Sequence, residues 1–215
     1  MSLEIKKGDR IFVVVDRSGS MGERDDACDG KVKFDWMQET LLSYVDGAEK
    51  FALDGIFLVF FNNIVDVFGN VTTKDQAREL MRTHRPRGGT DTHLALNAVF
   101  NAHASMGPGS SFVLIFTDGE ASDIEALKRS IVNVTHNVAT PEDFRIGFFP
   151  VGTVDGPLQA MFDELDEGLT DAKFDIVGVL KPEDAPFELA IAAIIDSSAT
   201  SDEAAQSYVG KATTL

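Results

Sequence analysis

The chain has 215 residues, enough for one domain of ordinary size, and its 44% hydrophobic residues, including 16 phenylalanines, can supply a packed core. Its 35 acidic residues outnumber its 19 basic ones and give a formal net charge of -16. Nucleic acids and anionic membranes are bound by basic surfaces, so this charge argues against both as partners.

The start of the chain and its apolar runs bear on where the protein works. The opening MSLEIKKGDR lacks the apolar stretch of a secretory signal, and apolar runs such as Ile56–Phe61 (IFLVFF) are far too short to span a membrane. With one cysteine, Cys28, no disulfide can form within the chain. We therefore expect a cytoplasmic protein.

Predicted strands and helices alternate from the first residues onward. Ile11–Val15 (IFVVV) is a continuous apolar run typical of a strand buried on both faces. Apolar residues then recur at spacings of three and four from Phe34 to Phe51, which predicts a long helix. Gly55–Phe61 is a second predicted strand, and Ile64–Phe68 is predicted to pair back on it as a short hairpin strand.

The second half of the chain continues this alternation. One predicted helix is short and begins after its cap, Thr73. The other predicted helices are Thr92–Met106, Ile124–Val134 (with Ser122 or Asp123 as its cap), Pro157–Leu165 and Pro186–Ile195. The predicted strands are Phe112–Phe116, Phe144–Val151 and Phe174–Val179. The order predicts an α/β fold: a Rossmann-like, doubly wound, mainly parallel six-stranded sheet with one short antiparallel strand and helices on both faces. We expect residues 1–199 to form a single domain and residues 200–215 to be a flexible C-terminal tail.

Oxygen-bearing side chains follow two of the predicted strands and occur in one further loop. Asp16, Ser18 and Ser20 come directly after the first strand, in VDRSGSM. Asp118 follows the strand Phe112–Phe116 in LIFTDGEASD, and Thr90 lies in the loop GGTDTHLAL. Ligand sites of open parallel sheets form beyond the carboxyl ends of the strands, so we expect these side chains to converge at one edge of the sheet.

Such a donor set suits a hard divalent cation, Mg²⁺, Mn²⁺ or Ca²⁺. Two carboxylates and neutral hydroxyls leave an ion incompletely enclosed, so water or an acidic side chain of a partner can complete its shell. Each segment alone has a plainer interpretation, since serine hydroxyls often bond the backbone and Asp-Gly after a strand is often only a turn.

Taken together, these segments resemble the metal-ion-dependent adhesion site (MIDAS) of the von Willebrand factor type A (vWA) domain family. In that family Asp-x-Ser-x-Ser follows the first strand, a threonine lies in a later loop, and an aspartate in a Thr-Asp-Gly context follows the fourth strand. The matching residues here are Asp16, Ser18, Ser20, Thr90 and Asp118. The order of elements agrees from about residue 10 to residue 195, and the stretches RIGFFPVG and AKFDIVGVL resemble stand-alone cytoplasmic members of the family.

The resemblance implies a binding module and not an enzyme. Asp16, Ser18 and Ser20 would hold the cation, and Thr90 and Asp118 would approach it directly or through water. The partner would be a protein that offers an Asp or Glu side chain to the ion. Some relatives switch between two arrangements when such a carboxylate binds.

Two other functions stay open from the sequence alone. Ser18–Gly22 ahead of a helix could cradle a phosphate beside the cation, which would suit a metal-assisted phosphate hydrolase. The chain lacks the Gly-x4-Gly-Lys-[Ser/Thr] loop and an Asp-x-Asp nucleophile pair, which argues against this. The other function is a scaffold whose metal site is vestigial.

Residues beside the candidate site receive plainer interpretations. Glu23–Asp29 carries four acids and is expected to be a solvated loop rather than a second cation site, with Cys28 exposed in it. Asp91 is expected to cap the helix that follows it. Glu120 would either rim the site or stabilise the N-terminus of the next helix.

Overall fold

The computed structural model describes residues 5–6, 8–50, 53–119, 121–167, 169–180 and 187–196. Within these ranges the strands are β1 (Arg10–Asp16), β2 (Ile56–Phe61), β3 (Val65–Val71), β4 (Ser111–Thr117), β5 (Phe144–Pro150) and β6 (Val177–Val179). The α-helices are α1 (Lys33–Lys50), α2 (Lys74–Thr83), α3 (Thr92–Ser105), α4 (Ile124–Asn137), α5 (Gly156–Glu167) and α6 (Phe187–Asp196). Two short 3₁₀ turns, Ser20–Gly22 and Asp26–Cys28, lie between β1 and α1.

The six strands form one sheet in the order β3-β2-β1-β4-β5-β6, with β3 antiparallel to β2 and every other pair parallel. This confirms the predicted fold. β3 extends beyond the predicted hairpin strand, because Val71 still pairs with Ile56 across a register irregularity. β6 is shorter than predicted, since only Val177–Val179 pair with β5.

Helices cover both faces of the sheet, as predicted. Along β1, Ile11, Val13 and Val15 join the core under α1, α2 and α6, while Phe12 and Val14 join the core under α3, α4 and α5. Every residue of β1 and of β4 is buried. The continuous apolar runs Ile11–Val15 and Phe112–Phe116 therefore lie in the two central strands, which are covered on both sides.

Two of the three predicted helix caps are present. Thr73 and Gln76 form a reciprocal capping box at the start of α2, and the side chain of Asp123 caps α4. Asp91 occupies the N-cap position of α3, but its side chain makes no capping hydrogen bond. Its Oδ2 accepts a hydrogen bond from Asn63 Nδ2 at 2.9 Å, so the prediction that Asp91 caps this helix is wrong.

The acidic loop Glu23–Asp29 is folded onto the rest of the domain, and the expectation of an exposed Cys28 is wrong. The Asp26–Cys28 turn directs Cys28 into the core beneath α1, where it is fully buried. The carboxylate of Asp25 accepts hydrogen bonds from the main chain and the hydroxyl of Thr153, at 3.1 and 2.8 Å. These bonds attach the loop to the segment after β5.

Some predictions fall on residues outside the described ranges. Glu120 and the predicted tail, residues 200–215, are among them, so their proposed roles stay predictions. Among the helices that the structure describes, none combines the length and the apolar character needed to cross a membrane.

Asp166, on α5, should make the stability of the fold depend on pH. Burial, together with the charges of Asp175, Glu167 and Asp163, raises the pKa of Asp166 from 3.8 to about 6. The folded protein therefore holds this proton more tightly than the unfolded chain, and stability falls as pH rises from about 4 to about 6. Asp166→Asn should raise the free energy of unfolding by about 1 kcal/mol near pH 7.5, a value discounted because the carboxyl is only half-buried.

Urea unfolding at about pH 4 and about pH 7.5 checks this expectation. The gain should be small at the lower pH, where the carboxyl of the folded protein is already protonated. Glu49→Gln, on the exposed side of α1, is the control and should change stability little at either pH. An equal effect of Asp166→Asn at both pH values would contradict the assignment.

Candidate metal site

The candidate site lies at the carboxyl ends of the two central strands. β1 and β4 are parallel neighbours in register, with Val15 opposite Phe116, so their ends meet at the same edge. Asp16 is the last residue of β1 and Asp118 directly follows β4. The chain continues from β1 toward β2 on one side and from β4 toward β5 on the other, which makes this the topological switch point of the sheet.

Hydrogen bonds join four of the five predicted site residues into one network. The main-chain N–H of Ser18 donates to Asp16 Oδ1 at 2.7 Å. The hydroxyl oxygens of Ser18 and Ser20 are 3.0 Å apart, and Ser20 Oγ donates to Asp118 Oδ1 at 2.9 Å. Residues 98 positions apart in the chain are thus brought into direct contact by folding.

Thr90, the fifth predicted residue, is placed beside this network by the main chain of its loop. Its N–H donates to Ser122 Oγ at 3.1 Å, and its carbonyl oxygen accepts from the N–H of Ser122 at 2.9 Å. The same loop is bonded to the β1 end, where Gly19 N–H donates to the carbonyl of Gly88 at 2.9 Å. Thr90 is largely buried between the loops that follow β1 and β4.

Arg17 holds the loop after β1 in place, a role that the sequence analysis missed. Its side chain is 2% exposed, and its guanidinium pairs with Asp66 of β3 at 2.6 Å. Its main chain accepts a bond from Arg87 N–H at 2.7 Å and donates to the carbonyl of Phe61 at 2.8 Å. A single buried arginine therefore connects the loop that bears Asp16 and the serines to both β2 and β3.

The carboxylate of Asp16 is completely buried, and this has an electrostatic consequence. Burial raises the pKa of Asp16 to about 7, and the charge of Asp118 adds to this effect. Hydrogen bonds from Ser18 and from Thr117, whose hydroxyl donates to Asp16 Oδ2 at 2.6 Å, act in the opposite direction. A cation bound next to this carboxylate would relieve the free-energy cost of burying its charge.

Lys33, the first residue of α1, is a second contributor that the sequence did not reveal. Its ammonium lies 2.8 Å from Asp118 Oδ2, and the Lys33 side chain is 12% exposed. Burial lowers the pKa of Lys33, but the hydrogen bond and charge of Asp118 outweigh burial, so that the pKa is raised. Both carboxylate oxygens of Asp118 are therefore engaged, Oδ1 by Ser20 and Oδ2 by Lys33.

The chemistry of these donors fits a hard divalent cation. Two carboxylates and two serine hydroxyls lie together, which are the oxygen ligands that Mg²⁺, Mn²⁺ and Ca²⁺ prefer. In the described part of the chain, no cluster of three or more His, Cys, Asp or Glu residues could hold a metal. An ion here would therefore depend on hydroxyls as well as on Asp16 and Asp118, and would keep positions open for other ligands.

Comparison with known families identifies the family of this chain. The family model described as the von Willebrand factor type A domain matches residues 11–120, which is 110 of the 215 residues. The chain belongs to the von Willebrand factor type A domain family. The matched segment includes all five predicted site residues of this vWA domain, and no curated protein gives a significant match to it.

Solved structures share the fold of this vWA domain at low sequence identity. A von Willebrand factor type A protein from Catenulispora acidiphila is 19% identical with a TM-score of 0.57, over 88% of this chain and 42% of that one. Manganese-loaded Plasmodium vivax TRAP is 15% identical with a TM-score of 0.55, and the match covers 88% of this chain and 72% of that one. Proximal thread matrix protein 1 from the mussel byssus, with a zinc-occupied MIDAS motif, is 17% identical with a TM-score of 0.57, over 91% and 49%.

These values establish a common fold. This chain spans less than half of the Catenulispora structure and about half of the mussel one. The activities and partners of those larger proteins are therefore not carried over with the fold.

Proposed function

We propose that this vWA domain is a divalent-cation-dependent protein-interaction module. Asp16, Ser18 and Ser20 hold Mg²⁺, Mn²⁺ or Ca²⁺, with Thr90 and Asp118 completing the site directly or through water. When bound, the ion supplies an electrophilic centre that accepts the Asp or Glu side chain of a partner protein. The domain itself carries out no reaction.

The observation that carries this proposal is the contact network between separate segments. Ser18, Ser20 and Asp118 are in hydrogen-bond contact, and the buried carboxylate of Asp16 lies beside them, near enough for its charge to interact with that of Asp118. A structural role alone does not require two carboxylates to converge at the switch point of a sheet. Convergent oxygen donors are what a hard cation needs.

Two solved structures that share this fold contain divalent ions, which supports the proposal that this domain binds one. TRAP is loaded with manganese, and zinc occupies the MIDAS motif of the mussel protein. The donor set of this chain contains oxygen atoms from carboxylates and hydroxyls, which favours Mg²⁺ or Mn²⁺ over zinc.

The geometry is less suited to binding a phosphate group. Ser20–Gly22 forms one short 3₁₀ turn, and the hydroxyl of Ser20 donates to Asp118. A phosphate placed there would meet two carboxylates, which repel it unless the ion screens them. We therefore propose a binding role in preference to hydrolysis.

Calorimetry and partner capture with matched serine variants test the proposal. Ser20→Ala should weaken Mg²⁺ binding by about tenfold or more, because a ligand is lost and Asp118 loses its hydroxyl partner. Ser43→Ala is the control, since that hydroxyl bonds to the carbonyl of Thr40 on the exposed side of α1. The control should bind Mg²⁺ like the wild type.

Partner capture from a native lysate should follow metal binding. Capture should be lost with EDTA, restored by Mg²⁺ and absent for Ser20→Ala. The captured protein is then identified, and replacing its contacting Asp or Glu should abolish binding. Capture that survives both EDTA and Ser20→Ala would contradict the proposal, and an absence of divalent-ion binding at millimolar concentration would favour a scaffold with a vestigial site.

A further inference from the structure

Lys33 is positioned as part of the candidate site and not as a surface residue. Its Nζ is 2.8 Å from Asp118 Oδ2, and its side chain is 12% exposed. A Cβ built on Gly152 would lie 3.2 Å from Lys33 Cε and 3.0 Å from Asp25 Oδ2, so the lysine chain runs close beneath the segment after β5. The main-chain N–H of Lys33 donates to the carbonyl of Glu23 at 3.0 Å, which fixes the start of α1 beside the site.

The ammonium changes the charge that an incoming ion meets. Asp16 and Asp118 in their ionised forms present two negative charges, and the adjacent Lys33 cancels one of them. Interaction between charges a few ångströms apart is appreciable even in water, and it is stronger where solvent is excluded. A divalent ion is therefore attracted less strongly than by two carboxylates alone.

The same contact orients Asp118 before any ion arrives. Ser20 donates to one carboxylate oxygen and Lys33 to the other, so the side chain is held from both sides. Without Lys33, Oδ2 would be available to an ion, and the two carboxylates would repel each other without a counter-charge. Both effects of losing Lys33 would increase the affinity of the site for a divalent cation.

We propose that Lys33 is a tethered cation that stabilises the metal-free site and lowers its affinity for divalent ions. This inference rests on the proposed metal-binding function and concerns how that site is tuned. It assigns to Lys33 a role as a positioning and charge-setting residue, which acts on the ion through Asp118.

Calorimetric titration with Mg²⁺ of matched lysine variants tests this role. Lys33→Gln keeps a hydrogen-bond donor and removes the charge, and it should bind Mg²⁺ about tenfold more tightly than the wild type. Lys33→Arg keeps the charge and should remain within about threefold of the wild type. Lys31→Gln is the control, since Lys31 is two residues away and its side chain is 62% exposed.

Thermal unfolding gives a second, independent measurement. With EDTA, Lys33→Gln should unfold at a lower temperature than the wild type, and it should gain more from saturating Mg²⁺. Lys33→Met, of similar length but without charge or donor, should behave in the same way and serves if the glutamine variant is poorly folded.

The outcomes separate this inference from the proposed function. If the wild type binds Mg²⁺ and both uncharged variants bind it equally or less tightly, the role of Lys33 is wrong while the metal site stands. If Lys31→Gln increased the affinity for Mg²⁺ as much as Lys33→Gln does, the role of Lys33 would also be contradicted, because the increase would then follow from the overall charge of the protein. If neither the wild type nor any variant binds a divalent ion, both proposals fail.

Discussion

Replacing Asp16 by asparagine should abolish Mg²⁺ binding and leave the metal-free protein at least as stable as the wild type. The side chain of Asp16, the last residue of β1, is fully buried, and its carboxylate accepts a hydrogen bond from the main-chain N–H of Ser18. Asparagine has the same shape and can still accept the hydrogen bond from Ser18 N–H. It lacks the charge that attracts the ion.

Above about pH 7, where the carboxylate of Asp16 is ionised, the substitution removes a buried charge, and stability in EDTA should therefore not fall. A buried carboxylate without a cation is costly, and replacing it by an amide should offset the weakened bond to Thr117 and give a gain of up to about 1 kcal/mol. The wild type should instead gain about 2.7 kcal/mol from Mg²⁺ at about one hundred times its dissociation constant.

Thermal or urea unfolding with EDTA and with excess Mg²⁺ measures both effects. Asp26→Asn is the control, because Asp26 is exposed in the neighbouring loop, and it should keep the full response to Mg²⁺. A response of Asp16→Asn equal to that of the wild type would show that the ion binds elsewhere.

Replacing Gly47 by alanine should destabilise the fold by about 1 kcal/mol, although alanine is the better helix former. Gly47 lies within α1 where α6 packs against it, and an added Cβ would lie 2.7 Å from Phe187 Cβ and closer still to its ring. Helix propensity favours alanine by about 1 kcal/mol, and overpacking of a close contact costs about 1–3 kcal/mol. Because Cβ and the backbone of Phe187 cannot rotate away, the clash should prevail.

A double-mutant cycle in urea identifies the cause. Phe187→Ala alone should be destabilising because this ring is buried, and adding Gly47→Ala to it should cost less than in the wild type, because the ring is gone and only the contact with the Cβ at position 187 remains. Gly156→Ala at the start of α5 is the control, since nothing lies near a Cβ at that position. If Gly47→Ala costs the same with and without the Phe187 ring, close packing of α6 on α1 is not the reason.

The central part of the fold could be predicted because its strands are buried on both faces. β1 and β4 read as uninterrupted apolar runs, and their bounds were found to within one residue at each end. The bounds of the edge strands were harder to predict, because β3 is largely exposed and the length of β6 is set by its pairing with β5. Cys28 was misplaced because its acidic neighbours indicate solvent, whereas the local turn directs it inward.

The candidate site likewise contains residues that could be predicted from the sequence and residues that could not. Asp16, Ser18, Ser20 and Asp118 could be selected because each follows a strand whose carboxyl end faces the same edge. Lys33 could not, because it opens a helix like many exposed lysines and its partner is 85 residues away. Only tertiary structure shows that it is paired.

The most direct test of the metal site is anomalous diffraction from crystals of this domain grown with Mn²⁺. We expect an anomalous peak bounded by the side chains of Asp16, Ser18 and Ser20, and the loss of that peak in crystals of Asp16→Asn. Crystals that show Mn²⁺ bound at other places on the surface, with no peak among these three side chains, would contradict it.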